Sequence, residues 1–411
     1  MPSSSSSSAP NSRVRALRVW STKDYALAAF IFLVLFSLLL LSHFDPSANP
    51  SHSTTTTLVP FTLLRHTRAL CLDGSAPAYH FHKGFGSGSR NWLIHTEGGG
   101  WCNSISSCSQ RKFTHLGSSK YMEKLIPFSG ILSPDPSQNP DFFNWNKVKI
   151  RYCDGASFAG HPESERASGL FFRGQAIWDA IMNELLSIGL STAKQALLSG
   201  CSAGGLATLI HCDNFRQLLP KEATVKCLAD AGFFLDEMDI SGNRTMGSFY
   251  HDVVQLQGLA ESLHKDCITK MEPSKCLFPS EIVKNMKTPL FLVHPAYDFW
   301  QIRNILVPQG SDPEGHWQNC RLNIRNCNAN MMDKLDRHGG ASLTDGGDEG
   351  KEFAQQPLLF MSCCTYPQLL LPLEQTIAES VGDWYFDREV VKRIDCSSYS
   401  CNPTCHNLDF T

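Results

Sequence analysis

The stretch Gly200-Cys201-Ser202-Ala203-Gly204-Gly205 follows an apolar run at 196–199 and precedes an apolar helical pattern. This order predicts a strand, a sharp turn and a helix, with the Ser202 hydroxyl at the apex of the turn. The glycines let neighbouring backbone approach closely, and the amide of Ala203, which opens the helix, can face an oxyanion. The stretch therefore predicts a nucleophile elbow, with an ordinary glycine-rich turn as the alternative.

A second glycine-rich stretch, Glu97-Gly98-Gly99-Gly100-Trp101-Cys102, follows an apolar run at 91–95 that predicts a strand. Glycines at the end of a strand allow backbone amides to turn inward, as in the loop that supplies the other half of an esterase oxyanion hole. A flexible loop is the alternative. We favour the oxyanion loop, because the stretch precedes the elbow in the order that such enzymes show.

Strand and helix patterns alternate along the middle of the chain. Residues 173–190 carry apolar side chains at helical spacing directly before the elbow strand, and 252–264 also predicts a helix. Further strands are predicted at 78–82, 148–152, 289–294 and 358–361. This alternation predicts an α/β fold with a mostly parallel sheet and helices on both faces.

A turn that contains Gly84, Gly86 and Gly88 separates the strands at 78–82 and 91–95. Because these glycines lead into a strand and not a helix, we predict a β-hairpin and not a phosphate loop. His80 and His82 are two residues apart, as metal ligands can be, but no third ligand is near. We interpret them as strand residues.

An esterase of this kind also needs an acid and a base. Asp298 follows the strand at 289–294, which is the place of the triad acid in an α/β-hydrolase; a solvated turn aspartate is the alternative. The histidine should follow the strand at 358–361. The loop at 362–368 contains none, and the only later histidine is His406.

Composition points to the secretory pathway. A Ser-rich, basic segment at 1–24 precedes an apolar run at 25–42, typical of a signal peptide or signal anchor, and 43–62 is predicted to be a disordered linker. We expect a secreted protein, or a type II membrane-anchored one if the segment is not cleaved. A net charge of −3 gives no basic field that would attract nucleic acid. Asn243-Arg244-Thr245 is an N-glycosylation acceptor.

The chain contains 16 cysteines, which suits disulfides in an oxidising compartment. Two pairs are our hypotheses: Cys102 with Cys108, and Cys71 with Cys153. Near the C-terminus a set of potential ligands could bind zinc, namely Cys396, Cys401, Cys405 and His406. We favour disulfides there and expect no metal.

Five motifs together resemble the plant pectin acetylesterases, secreted carbohydrate esterases that are distantly similar to the animal deacylase Notum. The motifs are the two glycine-rich stretches, Tyr297-Asp298-Phe299-Trp300-Gln301-Ile302, Val381-Gly382-Asp383-Trp384-Tyr385-Phe386 and Cys401-Asn402-Pro403-Thr404-Cys405. The resemblance covers about 68–336 and 375–411. It implies a disulfide-rich α/β-hydrolase fold and a catalytic domain over 63–411 that removes acetyl groups from pectic galacturonan in the cell wall.

The resemblance also implies residue roles. Ser202 is expected to be the nucleophile and Asp298 the acid, while the amides of Gly100, Trp101 and Ala203 are expected to form the oxyanion hole. No cofactor is expected. The partner is acetylated pectin, and we expect a monomer that meets a membrane only through its N-terminal segment.

The base is where the chain departs from this family. The family's histidine sits in a Ser-Cys-x-x-His-Cys-Gln motif, and Tyr366 stands at that position in an atypical segment, 339–374. Tyrosine, with a pKa of about 10, is protonated near neutral pH and a poor base. His316, His338 and His406 are the alternatives. A second hypothesis follows, namely a catalytically impaired relative that binds pectin without hydrolysing it.

Overall fold

The computed structural model describes the backbone of residues 57–161, 169–344, 358–361 and 376–394. Side chains are described for 57–161, 169–339 and 376–391. Several predictions concern residues outside this part of the chain, namely those on 1–24, 25–42, Tyr366 and the cysteines and His406 near the C-terminus. No helix within the described ranges is both long and apolar enough to cross a membrane.

The described residues form one mixed sheet. Its strands are β1 Leu58–Leu63, β2 Ala78–His82, β3 Asn91–Thr96, β4 Leu125–Pro127, β5 Asn146–Ile150, β6 Gln195–Cys201, β7 Thr224–Asp230, β8 Leu290–Pro295, β9 Leu358–Met361 and β10 Lys392–Ile394. Their order across the sheet is β10-β9-β8-β7-β6-β3-β5-β2-β1-β4. Neighbours from β10 to β5 are parallel, and β2, β1 and β4 add antiparallel pairs at one edge. The mostly parallel sheet predicted from the sequence is confirmed.

Helices connect and cover these strands. They are α1 Ile105–Arg111, α2 Gly174–Ser187, α3 Ala203–Leu218, α4 Thr245–Gln257, α5 Lys265–Ile268, α6 Pro279–Ile282, α7 Phe299–Gln301, α8 Gln318–Leu322, α9 Ala329–Thr344 and α10 Ile377–Tyr385. A π-helical turn, Ile302–Leu306, continues α7.

Both faces of the sheet are buried. Successive strand residues point to opposite faces, so Leu198 and Leu197, both fully buried, belong to different hydrophobic clusters. The cluster around Leu198 includes side chains of α2, α3 and α4, and the cluster around Leu197 includes side chains of α10. Because β3, β6, β7 and β8 are parallel, their carboxyl ends share one edge, and this edge carries the candidate site.

The predicted hairpin between β2 and β3 is wrong. β5 lies between these strands, antiparallel to β2 and parallel to β3. The glycines leave room for the segment that leads into β5. A Cβ on Gly84 would lie 2.5 Å from the backbone at 144–146, and one on Gly88 would lie 2.3 Å from it. They allow the turn to pack against the start of β5, a contact 60 residues away that local pattern does not reveal.

Two predicted boundaries are also corrected. The linker at 43–62 ends earlier, because β1 begins at Leu58 and pairs with both β2 and β4, with Val59 buried. The helix expected at 252–264 is α4, which begins at Thr245 and ends where Gly258 adopts a left-handed φ of +66°.

Five disulfides crosslink the described residues. Both hypothesised pairs, Cys71–Cys153 and Cys102–Cys108, are confirmed. The three other pairs are Cys212–Cys227, Cys267–Cys276 and Cys320–Cys327. The pair between Cys102 and Cys108 fixes the end of the oxyanion stretch to α1, directly beside the candidate site.

Candidate active site

The strand, turn and helix predicted around Ser202 are confirmed. β6 ends at Cys201 and α3 begins at Ala203, so Ser202 alone connects them. Ser202 has φ 57° and ψ −125°, a conformation that residues with a side chain rarely adopt. Its amide donates a hydrogen bond of 2.8 Å to the carbonyl of Asp230, which anchors the turn to β7.

Glycines make this turn sterically feasible. A Cβ on Gly200 would lie 2.2 Å from the carbonyl oxygen of Gly204, and one on Gly204 would lie 2.1 Å from that of Thr96. A Cβ on Gly98 would lie 2.2 Å from the carbonyl oxygen of Cys201. The backbone of the oxyanion stretch therefore packs directly against the elbow, which confirms that the two glycine-rich stretches meet.

The oxyanion stretch adopts positive φ at Gly99 (+148°) and Gly100 (+64°). The guanidinium of Arg111 donates to the carbonyl of Gly99 at 2.9 Å. The Tyr152 hydroxyl donates to the carbonyl of Gly100 at 2.8 Å. These bonds fix the plane of each peptide and hence the direction of the amide that follows it.

Within the described residues, the amides of Gly100, Trp101 and Ala203 donate no hydrogen bond. Ala203 is the first residue of α3, where the first amides of a helix have no intrahelical acceptor. Amides without an acceptor beside a serine hydroxyl can donate to a negatively charged oxygen. These amides are available as donors, and their role in an oxyanion hole stays a prediction.

Ser157 joins the two halves of this arrangement. The indole Nε1 of Trp101 donates to the Ser157 hydroxyl at 2.8 Å, and that hydroxyl donates to the carbonyl of Ala203 at 2.8 Å. The Ser157 amide donates to the Tyr152 hydroxyl at 2.9 Å. Ser157 and Tyr152 are both fully buried, so water does not compete for these bonds.

A buried ion pair supports the loop from beneath. The Glu97 carboxylate accepts from Arg151 Nε at 2.9 Å and from the Tyr152 amide at 3.0 Å, and Lys149 Nζ lies 3.3 Å from it. Burial alone would raise the pKa of Glu97, but the charges of Lys149 and Arg151 and the hydrogen bonds from Arg151 and Tyr152 together hold that pKa below its ordinary value. Glu97 is therefore ionised, which keeps the start of the oxyanion stretch fixed to β5.

Asp298 lies in the loop after β8, where the sequence placed the acid. It is 8% exposed, and its carboxylate caps α7 by accepting from the Gln301 amide at 2.9 Å. Burial raises the pKa of Asp298 above its ordinary value. Hydrogen bonds from the amides of Gln301 and Trp300 and the charge of His338 act in the opposite direction.

Of the two alternative histidines that the structure describes, His338 is the one whose charge acts on this acid. His338 is 4% exposed in α9, and its Nδ1 lies 2.5 Å from a Glu237 carboxylate oxygen. Burial and the charge of His338 lower the pKa of the neighbouring His294 to about 3. His316 is 72% exposed and pairs with Glu314, and His406 lies outside the described residues.

Aromatic rings connect the two sides of the site. The Trp101 ring centroid lies 4.8 Å from that of Phe234 and 5.7 Å from that of Trp300, which is two residues beyond Asp298. Tyr250 of α4 contacts the same indole at 5.3 Å. This packing brings the oxyanion stretch and the acid loop together around one aromatic cluster.

The remaining predicted residues lie elsewhere. Asn243 is exposed in the loop before α4. Its side-chain amide donates to the Ser241 hydroxyl at 2.9 Å. His80 and His82 lie in β2 as interpreted, and His80 contacts the Val59 carbonyl at 3.0 Å.

Sequence reasoning missed Ser157, Tyr152 and Arg111. Ser157 and Phe158 adopt positive φ of 53° and 58° although neither is a glycine, so the residue types at these two positions do not reveal the conformation. Tyr152 and Arg111 act through bonds to carbonyls of other loops. The string Cys153-Asp154-Gly155 was the available clue, since Asp-Gly after a strand is typical of a turn.

The sequence profile of the Pectinacetylesterase family matches residues 52–406. The chain belongs to the pectinacetylesterase family. It is 52% identical to pectin acetylesterase 5 of Arabidopsis thaliana over 421 aligned positions, which cover 96% of this chain and 97% of that protein. It is 53% identical to pectin acetylesterase 4 of the same plant, over 94% of this chain and 98% of the relative. The family resemblance noted in the sequence is confirmed.

This pectinacetylesterase is also similar to Notum proteins. It is 31% identical to the palmitoleoyl-protein carboxylesterase notum1 of Xenopus laevis, over 64% of this chain and 58% of that protein. The structure of the Wnt deacylase Notum from Drosophila superposes with a TM-score of 0.69 at 23% identity, covering 85% of this chain and all of that one. This likeness confirms the Notum-like α/β fold.

Proposed function

We propose that this pectinacetylesterase is a serine carboxylesterase that hydrolyses acetyl esters of pectic galacturonan. The observation that carries the proposal is Ser202, held at positive φ between β6 and α3 beside three amides that donate no hydrogen bond to a described residue. The relatives in this family that match nearly the whole chain are named pectin acetylesterases, which supports the acetyl ester as substrate.

In the proposed reaction, the Ser202 oxygen attacks the acetyl carbonyl carbon while a base accepts its proton. The carbonyl oxygen becomes an oxyanion and accepts hydrogen bonds from the amides of Gly100, Trp101 and Ala203. The C–O bond to the sugar breaks, the sugar oxygen takes a proton, and an acetyl ester of Ser202 remains. Water then attacks that ester and releases acetate, which regenerates the serine. Every step is acid–base and acyl transfer, so the proposal requires no cofactor.

The base is to be sought first at His338. Its charge acts on Asp298, the proposed acid, and its Nδ1 meets the Glu237 carboxylate. A carboxylate on Nδ1 orients an imidazole so that Nε2 can accept a proton. The exposed His316 has no such neighbour apart from Glu314 on its own loop.

We further propose that the protein is secreted to the cell wall as a monomer, or kept in secretory membranes by its N-terminal segment, and that Asn243 carries a glycan. The five disulfides and the exposure of Asn243 support an oxidising, glycosylating compartment.

The test is acetate release from acetylated pectin, and hydrolysis of a small aryl acetate, by the full chain beside its Ser202→Ala variant. We expect Ser202→Ala to lower kcat by about 10⁴-fold or more, because nucleophile loss leaves only binding and oxyanion effects. Equal rates for folded wild type and variant would contradict the proposal and favour a pectin-binding protein without turnover.

Loss of activity in Ser202→Ala makes the histidines testable in turn. His338→Ala, His316→Ala and His406→Ala are then compared on the same aryl acetate. The base is the position whose replacement matches the loss seen with Ser202→Ala.

A further inference from the structure

The two halves of the oxyanion hole come from loops far apart in sequence. Gly100 and Trp101 follow β3, while Ala203 follows β6. Their amides can stabilise one oxyanion only if both loops keep a fixed relative position, since such donors must lie within a few tenths of an ångström of their ideal place. A connection between the loops would therefore act directly on catalysis.

We propose that Ser157 and Tyr152 form this connection and are positioning residues for the oxyanion hole. The inference rests on the proposed function. Tyr152 lies two residues after the end of β5 and Ser157 five residues later, so neither belongs to the two glycine-rich stretches.

The hydrogen bonds form a continuous path. From the Gly100 carbonyl the path passes to the Tyr152 hydroxyl (2.8 Å), then to the Ser157 amide (2.9 Å). From the Ser157 hydroxyl it branches to the Trp101 indole (2.8 Å) and to the Ala203 carbonyl (2.8 Å). Each residue whose amide is a candidate oxyanion donor is thus also bonded to Tyr152 or Ser157. The bond is made by the carbonyl of Gly100, the indole of Trp101 or the carbonyl of Ala203.

Both hydroxyls use their one proton in these contacts. The Ser157 hydroxyl accepts one bond and donates one, and the Tyr152 hydroxyl does the same. Burial and the nearby Asp154 raise the pKa of Tyr152 far above its ordinary value, so its hydroxyl keeps the proton that it donates. Both side chains are fully buried and donate their hydroxyl proton within the protein, so neither is placed to bind substrate. This separates positioning from direct catalysis.

The local backbone is strained to bring Ser157 there. Ser157 and Phe158 both have positive φ, and the Asp154 carboxylate holds the turn by accepting from the Ala156 and Phe158 amides at 3.1 Å and 2.9 Å. Positive φ at two consecutive non-glycine residues costs free energy, and such strain persists where the surrounding structure imposes it. Here it places one hydroxyl between the two loops.

The experiment measures kcat and KM for a small aryl acetate in the full chain with Ser157→Ala, Ser157→Gly and Tyr152→Phe. We expect kcat to fall about tenfold to a hundredfold, with KM nearly unchanged, because the lost bonds align donors that act in the transition state. Glycine relieves the strained φ and alanine does not, so a similar loss in both assigns the effect to the hydroxyl.

A second readout separates positioning from general stability. An alkyl boronic acid, which forms a tetrahedral adduct with an active serine, should bind each variant more weakly by the factor lost in kcat. Buried residues of the same type serve as matched controls: Ser118→Ala removes a buried, hydrogen-bonded serine, and Tyr385→Phe a buried hydroxyl. Both should lower the unfolding temperature at most, with kcat retained.

A double variant gives the last test. The fold-loss in kcat for Ser157→Ala combined with Tyr152→Phe should be smaller than the product of the two single losses, because both substitutions break the same hydrogen-bonded path. A kcat in folded Ser157→Ala and Tyr152→Phe within twofold of wild type would overturn the inference while Ser202-dependent activity still supported the proposed function. If wild type and Ser202→Ala did not differ, the proposed function would fail, and this inference with it.

Discussion

The oxyanion side and the acid side of the candidate site are built by different forces. Around Ser202 and Gly100, positions are fixed by glycine contacts and by neutral hydrogen bonds through Ser157 and Tyr152. Around Asp298, ionisable groups are buried together, with His338 and Glu237 in contact. The first arrangement should be insensitive to pH, whereas the second should respond to it. Substitutions that separate these responses test the comparison.

The largest effect is expected on the acid side. Asp298→Asn keeps the shape and the cap of α7 but removes the charge that would stabilise a protonated base. We expect kcat to fall by about 10³- to 10⁴-fold, in line with the loss of a triad carboxylate. The measurement is aryl acetate hydrolysis beside the unfolding temperature. A folded Asp298→Asn variant with wild-type kcat would assign Asp298 to capping alone.

On the oxyanion side, a substitution that causes steric overlap should destabilise the fold. Gly204→Ala places a methyl group 2.1 Å from the Thr96 carbonyl oxygen, which cannot move without displacing β3. We expect the free energy of unfolding to fall by about 2–4 kcal/mol, as for other overpacked buried sites. Chemical denaturation measures it. Gly242→Ala is the control, because a Cβ there meets no atom within 4 Å, although its φ of +86° adds some strain. Equal losses in the two variants would contradict the steric account.

The smallest expected effect is a shift in the titration of Asp298. The positive charge of His338 lowers the pKa of this carboxyl against the effect of burial. Because His338 is also the histidine to be tested first as the base, the variant is followed by an NMR titration of the Asp298 carboxyl and not by activity. In folded His338→Gln the pKa of Asp298 should be higher than in the wild type, while Ser157→Ala should leave it unchanged. An unchanged titration in His338→Gln would show that His338 does not act on Asp298.

The parts of the site that are local in sequence were predictable. The elbow at Ser202 and the stretch ending at Trp101 each carry their glycines within six residues, because each turn needs close backbone approach at that point. The position of Asp298 followed from the strand before it. The sheet order was only partly predictable: β5 enters between β2 and β3 through contacts at Gly84 and Gly88 that depend on a distant segment.

The connecting residues could not be predicted for a related reason. Ser157 and Tyr152 act through main-chain atoms of Gly100 and Ala203. Because every residue has a main-chain carbonyl, the residue types do not show which carbonyl accepts a bond. The disulfide Cys212–Cys227 joins α3 to β7 in the same way, by spatial proximity. Motifs therefore indicated the candidate groups of the site, and the structure was needed to identify what holds them.

Ser202, as the proposed nucleophile, is the residue on which every other proposed role depends. The direct measurement is labelling of the full chain with an aryl-ester phosphonate, which forms a stable bond only with an activated serine, followed by peptide mapping by mass spectrometry. We predict one label, on Ser202, with none on the Ser202→Ala variant. Labelling of another serine, or acetate release that persists in protein with unlabelled Ser202, would contradict the account.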